Sequence, residues 1–477
     1  MRSALNTLGV ILQVNGVIYF LPILAAFYFD EVNGVAAFSL MALISISIGF
    51  LLSSLFKSEE HNYVSLALTT VLAFTLLSLI GSVPYIMMGH RIFGEIPPGE
   101  VVVNALFDST SGFTTTGLTT ISNYETLPKS LLLYRSITQW LGGVNILFIV
   151  SLFFIWGNVP HRIVPALFGL ERVSPSLRFT FIQLSAVYAI LTSIFVVALL
   201  VVGVNPFITL NIVFSTISTG GFTPTKDLEA ALGAAGTVII AVCMVGGAIN
   251  FSIYESFIGR ARGRLHISEV GGWLIFVALL ISFYVIAKGG LVAHHTIFNF
   301  LSAATTAGLQ IGPWDAHGRL ELIFIILLMF IGGNTFSTAG GLKALRFLLL
   351  LKTSKWFIER LILPPMSVRP LRFAAKEIKE EDLFYSLTLL LLGLTSVMVS
   401  AMIISTTNDF PIGDAMFESI SAWSNTGLSV GISQSSDVVG KLALIVVMII
   451  GRIEVIPLLS ILLYLGRTLV QRARYPA

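Results

Sequence analysis

The feature that most constrains this chain is a succession of apolar runs, each long enough to cross a bilayer as a helix. A spanning helix needs about 20 residues, at roughly 1.5 Å per residue. The runs lie near residues 8–29, 35–56, 64–88, 131–157, 180–203, 237–258, 270–287, 320–351, 384–405 and 442–465. The sequence therefore predicts an all-α integral membrane protein with about ten transmembrane helices.

The distribution of basic residues orients these helices. If the N-terminus lies inside and the chain alternates across the membrane, 20 of the 28 Lys and Arg residues lie inside. The inside set comprises Arg2, Lys57, Arg162, Arg172, Arg178, Arg260, Arg262, Arg264, the nine basic residues from Lys343 to Lys379, Arg467, Arg472 and Arg474. The positive-inside rule therefore predicts that both termini are cytoplasmic. The segment GRARGRLH, residues 259–266, is then a cytoplasmic loop rather than a nucleic-acid site.

The N-terminus and the cysteine content narrow the class further. The sequence MRSALNTLGV leads into the first run without a small-residue cleavage site, so we expect that run to be retained as a helix. The single cysteine, Cys243, excludes an internal disulfide and a cysteine-based metal cluster. These features predict a multi-pass protein of the cytoplasmic membrane.

One polar stretch interrupts the apolar sequence. Residues 109–120 read STSGFTTTGLTT, in a chain that is 55% hydrophobic. The stretch and the NALFD segment before it are too short to span a bilayer. Because irregular backbone is not tolerated in contact with lipid, the stretch must face protein or a water-filled cavity. We therefore expect a half-helix that enters the membrane, followed by an extended return.

The polar stretch belongs to a pattern that occurs four times. The segments FDSTSGFTTTGL, LNIVFSTISTGG, FNFLSAATTAGL and FESISAWSNTGL align without gaps from Phe107, Leu210, Phe298 and Phe417. Each has an acidic or amide residue in second position: Asp108, Asn211, Asn299 and Glu418. Each has a glycine ten residues after its start: Gly117, Gly220, Gly308 and Gly427. A second glycine motif follows each copy, as LGGV, VGGA, IGGN and IGRI, so the chain predicts four helix–re-entrant loop–helix repeats.

The contents of the loops favour a monovalent cation. Four equivalent loops can surround one axis, and backbone carbonyls can replace the water shell of an alkali cation. Glycine reaches the dihedrals that turn carbonyls inward, and each half-helix would point its negative end at the cavity. The loop centres carry no carboxylate, which disfavours Ca²⁺. One isolated T-T-G would be a turn or a close helix contact, whereas four registered copies predict a selectivity filter.

The predicted filter takes four residues from each loop. They are Thr115, Thr116, Gly117, Leu118, Ser218, Thr219, Gly220, Gly221, Thr306, Ala307, Gly308, Leu309, Asn425, Thr426, Gly427 and Leu428. The predicted segments are an N-terminal helix pair in 1–57 and pore repeats in 58–172, 173–264, 265–380 and 381–477. The third repeat also contains the gating loop and the basic segment discussed below.

The loops TTGL, STGG, TAGL and NTGL resemble the selectivity filters of the Trk/Ktr/HKT superfamily of potassium transporters. The N-terminal helix pair and the GGNTFSTAGG segment make the chain similar to the TrkH-type subunits. The resemblance covers essentially the whole chain and implies a fourfold pseudo-symmetric K⁺ pore, a homodimer and a cytoplasmic nucleotide-binding regulatory subunit of the TrkA type. Four filter glycines resemble the potassium-selective members, whereas a serine in the first position resembles sodium-passing ones. The second loop departs with GGF where the others have GL, so its register is the least defined.

The fourth repeat carries an arginine inside a predicted span. Arg452 replaces the second glycine of the motif, which is present as Gly143, Gly247 and Gly333. A guanidinium in a span usually faces the bundle interior or water, so we predict Arg452 below the filter, opposing a resting cation. The family carries an arginine in this place. One alternative is an ion pair between Arg452 and Glu454, although residues two apart do not share a helix face. The other is that Glu454 pairs with a residue of another repeat.

The third repeat carries a polar break in an apolar run, GGNTFSTAGGLK. Such a break is tolerated only where it is buried or lines a cavity. We predict a flexible intramembrane gating loop formed by Gly332, Gly333, Asn334, Thr335, Ser337, Thr338, Gly340, Gly341 and Lys343. The resemblance implies the same role, and the alternative is a plain kinked helix. Lys343 is expected to anchor the loop to the cytoplasmic surface by snorkelling.

The remaining polar residues give weaker signals. Asp108 and Glu418 either attract cations into an outer vestibule or hydrogen-bond nearby backbone. The adjacent pair His294 and His295 is expected in an outer loop, and no other histidine has ligand spacing. The sequence contains neither a phosphate loop nor a nucleophile–base set, so we predict that the protein is not an enzyme and binds no organic cofactor. The predicted transported ion is K⁺. The basic stretch 343–380 is expected to contact anionic lipid or a soluble regulator.

Two classes of transporter remain open. The first is a gated potassium-uptake pore. The second is an H⁺- or Na⁺-coupled alternating-access carrier, because carriers also use internal repeats and broken helices. Carrier repeats normally come as two halves, so four copies favour the pore. An intramembrane enzyme would require catalytic residues that the sequence does not offer.

Overall fold

In the computed structural model the four polar stretches follow four short helices, which longer apolar helices surround. The structure describes residues 2–56, 62–156, 177–257, 264–290, 292–312, 318–364, 370–373, 376–378 and 380–474. Within these ranges seven helices are long and apolar enough to cross a membrane, or eight if one bent pair counts as a span. The prediction of a helical, multi-pass membrane protein is confirmed.

The N-terminal segment contains two candidate spans. The first, Arg2–Tyr28, consists of α1 (Arg2–Ile18) and α2 (Phe20–Tyr28), and the second is α3 (Val32–Leu55). A β-carbon at Gly49 would lie 2.8 Å from the carbonyl oxygen of Gly9, so the two backbones approach closely at these glycines. Small residues at such crossings allow the van der Waals packing that holds helices together in lipid.

Each repeat has an outer helix, a short pore helix and an inner helix. The outer helices are α4 (Tyr63–Gly81), α9 (Leu177–Val201), α13 (Arg264–Ala287) and α17 (Glu380–Asn408). The pore helices are α7 (Pro98–Phe113), α10 (Pro206–Ile217), α14 (His294–Thr305) and α18 (Ile412–Trp423). The inner helices are α8 (Lys129–Trp156), α11 (Leu228–Ala248), α15 (Arg319–Ile331) and α20 (Val438–Ile453).

Shorter elements connect these helices. They are α5 (Val83–Met87), α6 (Gly89–Phe93), a 3₁₀ turn at Tyr124–Thr126, α12 (Phe251–Phe257), α16 (Ala344–Ile362), the antiparallel strands β1 (Arg372–Phe373) and β2 (Lys376–Glu377), α19 (Ile432–Ser435) and α21 (Val455–Arg474). Packing divides the interior: one apolar cluster joins repeats 3 and 4, and a second joins the N-terminal pair to repeat 1.

Prolines fix where three of the pore helices begin. Pro98 and Pro206 stand in the first turns of α7 and α10, and Pro411 caps α18. Proline suits the start of a helix because its φ is already helical and its missing N–H would have no partner there. The helices α10, α14 and α18 have 12 residues each, which cover about 18 Å of a hydrocarbon core of about 30 Å. They are therefore too short to span the membrane.

Two predicted spans are not straight helices. The run 320–351 breaks after α15, and α16 starts only at Ala344. The run 442–465 bends by 97° between α20 and α21, at Glu454, whose φ is +63°. The run 131–157 is the 28-residue helix α8, which is not among the seven apolar helices and carries Arg135, Gln139 and Asn145.

Some predicted features lie outside the described residues. They are the basic residues Lys57, Arg162, Arg172, Arg260, Arg262, Arg369 and Lys379 and the histidines His61, His161 and His317. The predicted boundaries between segments at 57–58 and 172–173 also lie there. His294 begins α14 and contacts Glu229 at 2.7 Å between Nε2 and Oε1.

Candidate functional site

The four loops adopt one backbone conformation after their pore helices. In each, one N–H reaches back to a serine carbonyl five residues earlier, at 2.8–2.9 Å. The pairs are Thr116 with Ser111, Gly220 with Ser215, Ala307 with Ser302 and Thr426 with Ser421. The residue before each donor is left-handed, with φ of 51–54°: Thr115, Thr219, Thr306 and Asn425. Non-glycine residues rarely adopt this region, so four matching cases mark one shared, constrained geometry.

The structure corrects the register of the second repeat by one residue. The glycines with positive φ that follow each left-handed residue by two positions are Gly117, Gly221, Gly308 and Gly427. Gly220, which the ungapped alignment matched to Gly117, instead corresponds to Thr116. The alignment failed because the pair GG offered two candidate glycines, and only the backbone dihedrals distinguish them. By the same shift Ile212, and not Asn211, corresponds to Asp108.

The four loops close into a ring. A β-carbon at Gly117 would collide with the carbonyl oxygen of Gly220, and one at Gly221 would lie 3.0 Å from that of Ala307. The ring continues from Gly308 to the carbonyl of Thr426, and from Gly427 to that of Thr116. Each loop therefore packs its glycine against the carbonyl of the next loop, in chain order and back to the first. This contact requires glycine twice over, for its φ and for its missing side chain.

The ring brings four equivalent carbonyls together: those of Thr116, Gly220, Ala307 and Thr426. The predicted filter residues are buried or half-buried around them, from Leu118 and Thr219 to Leu309, Thr426 and Leu428. Ser218 ends α10 and bonds back to that helix, so it precedes the ring rather than joining it. A set of converging backbone carbonyls can coordinate a dehydrated monovalent cation.

Polar side chains on the pore helices hold the returning chain. Asp108, Asn299 and Glu418 each accept a hydrogen bond from the backbone N–H twelve residues later: Thr120, Ile311 and Val430, at 3.0–3.2 Å. All three side chains are fully buried. Of the two alternatives for Asp108 and Glu418, the geometry is that of backbone hydrogen bonding, and neither carboxylate opens onto the outer surface.

Asp108 also has a cationic partner. Arg135 of α8 lies 3.0 Å from its Oδ1, and the guanidinium stacks over Phe222, 4.0 Å from the ring centroid. Phe222 directly follows Gly221 of the second loop. Arg135 therefore links the first two loops, because it contacts both Asp108 and Phe222. Sequence reasoning missed Arg135, although an arginine within a predicted span is itself a signal.

The second glycine motif lets three of the inner helices cross a pore helix closely, whereas in the third repeat Gly332 lies against the carbonyl of Gly340. β-Carbons at Gly142, Gly247 and Gly451 would collide with the carbonyls that end the pore helices, those of Phe113, Ile217 and Trp423. In the second repeat this glycine is Gly247, so the residue equivalent to Arg452 is Ala248 rather than Gly247. The one-residue correction to the second repeat therefore extends into its inner helix.

The polar break in the third repeat is a loop, not a kinked helix. Its two ends pair, with hydrogen bonds from Leu342 to Phe330 and from Ala344 to Gly333 at 3.0 and 2.8 Å. Gly332, Phe336, Gly341 and Lys343 have positive φ, as a chain that doubles back requires. The residues Asn334, Thr335, Ser337, Thr338 and Gly340 between the paired ends are buried.

The tip of this loop touches the other repeats. Thr338 donates its hydroxyl to the carbonyls of Ile217 and Gly247 of the second repeat, at 3.0 and 2.9 Å. The methyl group of Thr338 lies 3.3 Å from the position that a β-carbon at Gly143 would occupy. The N–H of Gly340 bonds to Thr306 Oγ1 at 2.8 Å, which connects the loop to the left-handed residue of the third filter loop.

Arg452 connects the fourth repeat to the same loop. Its Nη1 donates to the carbonyl of Thr338 at 2.8 Å, and its Nη2 lies 3.5 Å from the carbonyl of Gly142. Glu454 turns away and pairs with Arg346 of α16 at 2.8 Å. Of the alternatives for Glu454, a pair with another repeat is therefore the one in the structure, and Arg452 bonds backbone carbonyls instead.

A cavity of about 60 Å³ lies beside this contact, lined by Ser337, Lys343, Asn425, Arg452 and other residues. One water needs roughly 10–15 Å³, so the cavity has room for a few. Lys343 was predicted to snorkel toward the cytoplasmic surface, and this prediction is wrong. Its ammonium folds back onto the carbonyl of Ala339 and stays with the loop.

Glu269 of α13 is a functional candidate that sequence reasoning missed. Its carboxylate accepts hydrogen bonds from the hydroxyl of Thr335 at 2.9 and 2.7 Å, and from the Thr335 N–H. The side chain is fully buried. A carboxylate at the edge of the predicted span 270–287 was the available signal, because ionisable residues in spans usually have a partner. Glu269 thus fixes the loop from the outer helix of its own repeat.

A carboxylate outside the membrane-spanning helices links the outer loops of the first two repeats. Glu125 accepts hydrogen bonds from the Lys226 N–H at 2.7 Å and from Thr225 Oγ1 at 3.0 Å. The Lys226 N–H, followed by the Thr225 hydroxyl, lowers the pKa of Glu125 below its ordinary 4.5. A depressed pKa stabilises the folded contact above the unfolded value, and this contribution disappears as pH falls through the folded value.

We therefore expect the Lys226 amide to lose protection from hydrogen exchange as pH falls below about 4.5, once intrinsic exchange rates are corrected. In Glu125→Gln the amide oxygen still accepts the bond but does not titrate, so protection should be independent of pH in this range. Hydrogen-exchange mass spectrometry of the two proteins checks this. Parallel pH profiles in both would contradict the role of Glu125.

The fold and the site define a class: a multi-pass membrane protein in which four re-entrant loops close a ring of backbone carbonyls above an intramembrane loop. The chain belongs to the TrkH family of cation transport proteins, which it matches over residues 36–280 and 280–464. It is 30% identical to an uncharacterized cation transporter of Methanocaldococcus jannaschii, over 96% of this chain and 94% of that protein. It is 28% identical to the Trk system potassium uptake protein TrkH of Escherichia coli strain K12, over 96% and 97%. The crystal structure of the potassium transporter TrkH from Vibrio parahaemolyticus shares the fold, with a TM-score of 0.84, 24% identity and coverage of 97% and 98%.

Proposed function

We propose that this protein takes up potassium across the cytoplasmic membrane through a gated, channel-like filter. The closed ring of carbonyls at Thr116, Gly220, Ala307 and Thr426 carries this proposal. Carbonyl oxygens without a carboxylate suit a monovalent cation better than a hard divalent one. The potassium named in the descriptions of the Escherichia coli and Vibrio parahaemolyticus proteins supports K⁺ as the ion. The protein acts as a transporter and binds no organic cofactor for this task.

The loop of residues 332–343 and Arg452 form the proposed gate. The loop lies between Gly247 of the second repeat and Arg452 of the fourth, and the hydrogen bond from Arg452 to Thr338 holds it there. Opening requires that this hydrogen bond break and that the loop move away from the axis. The glycines at 332 and 341, both with positive φ, supply hinges at the two ends.

The surroundings of the pore follow from the same proposal. Both termini are cytoplasmic, and the chain comprises the N-terminal segment 1–57 and pore repeats in 58–172, 173–264, 265–380 and 381–477. Lys and Arg residues in 343–380 contact anionic lipid or a regulator. The functional unit is a homodimer that binds a cytoplasmic, TrkA-like nucleotide-binding subunit. Motion of the intramembrane loop would be the step that such a subunit controls, because the loop continues directly into the basic helix α16.

Rescue of an uptake-deficient cell at low potassium tests the function. We expect the parent chain to restore growth and Gly117→Ser to lose about tenfold in preference for K⁺ over Na⁺. The added side chain would press on the carbonyl of Gly220 and reshape one quarter of the ring. Gly431→Ser is the matched control, since its φ is +93° and nothing lies within 4 Å of its β-carbon position. Equal rescue by parent and Gly117→Ser, with equal ion preference, would overturn the filter assignment.

A further inference from the structure

The second filter loop is held differently from the other three. The carbonyl of Gly220 accepts a hydrogen bond from Gln139 Nε2 at 2.6 Å, and the N–H of Phe222 donates to Gln139 Oε1 at 3.1 Å. Gln139 lies on α8, the inner helix of the first repeat, and is fully buried. One amide thus spans both peptide groups that flank Gly221. Within the described residues, no other ring carbonyl accepts a hydrogen bond from a side chain.

Two substitutions in the second repeat explain why this loop needs a support from outside. Ile212 stands where Asp108, Asn299 and Glu418 bind the returning chain in the other repeats. Gly220 stands where the other loops carry a β-carbon. A β-carbon at Gly220 would collide with the side-chain amide of Gln139. The Gln139 amide therefore fills the space of the missing side chain and supplies the hydrogen bonds that the second repeat has lost.

We propose that Gln139 is a positioning residue of the filter that determines its ion preference, an inference that rests on the proposed function. By holding the peptides on both sides of Gly221, it fixes the direction of the Gly220 carbonyl. By donating to that carbonyl it occupies one of two lone pairs and leaves one for a cation. The ring then has three free carbonyls and one shared carbonyl.

The expected consequence concerns the choice between K⁺ and Na⁺. Selectivity depends on the cavity size and on the number and strength of the coordinating dipoles. Without Gln139, the Gly220 carbonyl gains a free lone pair and can tilt inward. A carbonyl that is free to move inward fits the smaller ion and holds K⁺ at a less favourable distance, so removal of Gln139 should weaken both the binding of K⁺ and the preference for it without blocking the pathway.

Three variants separate positioning from a general effect on folding. Gln139→Met keeps the approximate volume and removes both hydrogen bonds. Gln139→Glu keeps an acceptor for the Phe222 N–H, replaces the donor to Gly220 by a carboxylate oxygen and adds a negative charge. Ser136→Ala is the matched control: Ser136 lies on the same helix and bonds to Asn211 of the same neighbouring repeat at 2.9 Å, but makes no bond to the ring.

The uptake of K⁺ and of Na⁺ is measured for each variant, normalised to the amount of protein in the membrane. We expect Gln139→Met to raise KM for K⁺ and to lower the K⁺-to-Na⁺ preference, each about tenfold, with the maximal rate within about twofold, as the loss of buried hydrogen bonds predicts. Gln139→Glu should lose the preference similarly, because it also lacks the donor. Ser136→Ala should match the parent. An unchanged KM and preference in both Gln139 variants would overturn the proposal.

A binding measurement on purified protein separates this inference from the proposed function. A bound cation raises the midpoint of thermal unfolding, so titration with KCl or NaCl reports ion affinity without transport. We expect Gln139→Met to need about tenfold more K⁺ than the parent for the same stabilisation. A parent that K⁺ stabilises but that takes up no K⁺ in cells would refute the proposed function, and the K⁺ titration would still decide the role of Gln139. A parent that no alkali cation stabilises would overturn both.

Discussion

Gly308→Ala should reduce potassium uptake by at least about a hundredfold. The φ of Gly308 is +68°, and a β-carbon there would collide with the carbonyl oxygen of Thr426. Strain at a left-handed position costs about 1–3 kcal/mol, and displacement of a ring carbonyl removes a ligand as well. The Thr426 backbone cannot easily yield, because its N–H bonds to Ser421 and its hydroxyl lies 2.6 Å from Ser424 Oγ. A ⁸⁶Rb⁺ or K⁺ uptake assay, normalised to membrane protein, measures the effect.

Gly203→Ala is the control that isolates the strain. Gly203 has a comparable φ of +87° but no atom within 4 Å of its β-carbon position. It should therefore carry the dihedral cost without the collision and keep uptake within about twofold of the parent. If Gly308→Ala and Gly203→Ala transport equally, then the ring contact between the third and fourth loops is not required for conduction.

Arg452→Ala should raise resting potassium flux about tenfold or more. The substitution removes a buried positive charge below the ring and the 2.8 Å bond that holds Thr338 in the intramembrane loop. A tenfold change corresponds to about 1.4 kcal/mol of barrier, a modest share of what a fixed charge contributes in a partly dehydrated pathway. Ion flux into proteoliposomes under a fixed K⁺ gradient measures the change. A thermal midpoint close to that of the parent shows that the fold is retained.

Arg452→Lys distinguishes the charge from the loop contact. Lysine keeps the positive charge but lacks the forked guanidinium that reaches Thr338 and Gly142 together. If the charge forms the barrier, flux through Arg452→Lys stays close to that of the parent. If it rises as far as in Arg452→Ala, then release of the loop is the dominant effect. An unchanged flux in Arg452→Ala would contradict both and remove Arg452 from the gate.

Periodicity allowed the fold and most of the ring to be predicted. The recurrence of a glycine ten residues into each segment identified Gly117, Gly308 and Gly427, because a required positive φ leaves only glycine as a residue choice. The same reasoning could not choose between Gly220 and Gly221, since both satisfy it. The choice depends on which of the two follows the left-handed Thr219, and that is a property of the folded backbone.

The supports of the site could not be predicted from local pattern. Gln139, Arg135 and Glu269 act on segments that lie 66 to 87 residues away. No period in the sequence connects such pairs, because each exists in one repeat only. For Asp108 and Glu418 the sequence left two alternatives, an outer vestibule and backbone hydrogen bonding, and only the folded chain shows that residues twelve positions later donate to them.

The closed ring of four unlike loops has a further consequence. In an assembly of four identical chains, one substitution changes all four walls of the pathway at once. Here one substitution changes only one of the four loops, so a single mutation alters one quarter of the ring. In the proposed gate and filter, the third repeat supplies the barrier, the fourth supplies the charge that holds the barrier, and the first supplies the residue that positions the second loop. Tolerance to mutation should therefore differ from one wall to the next.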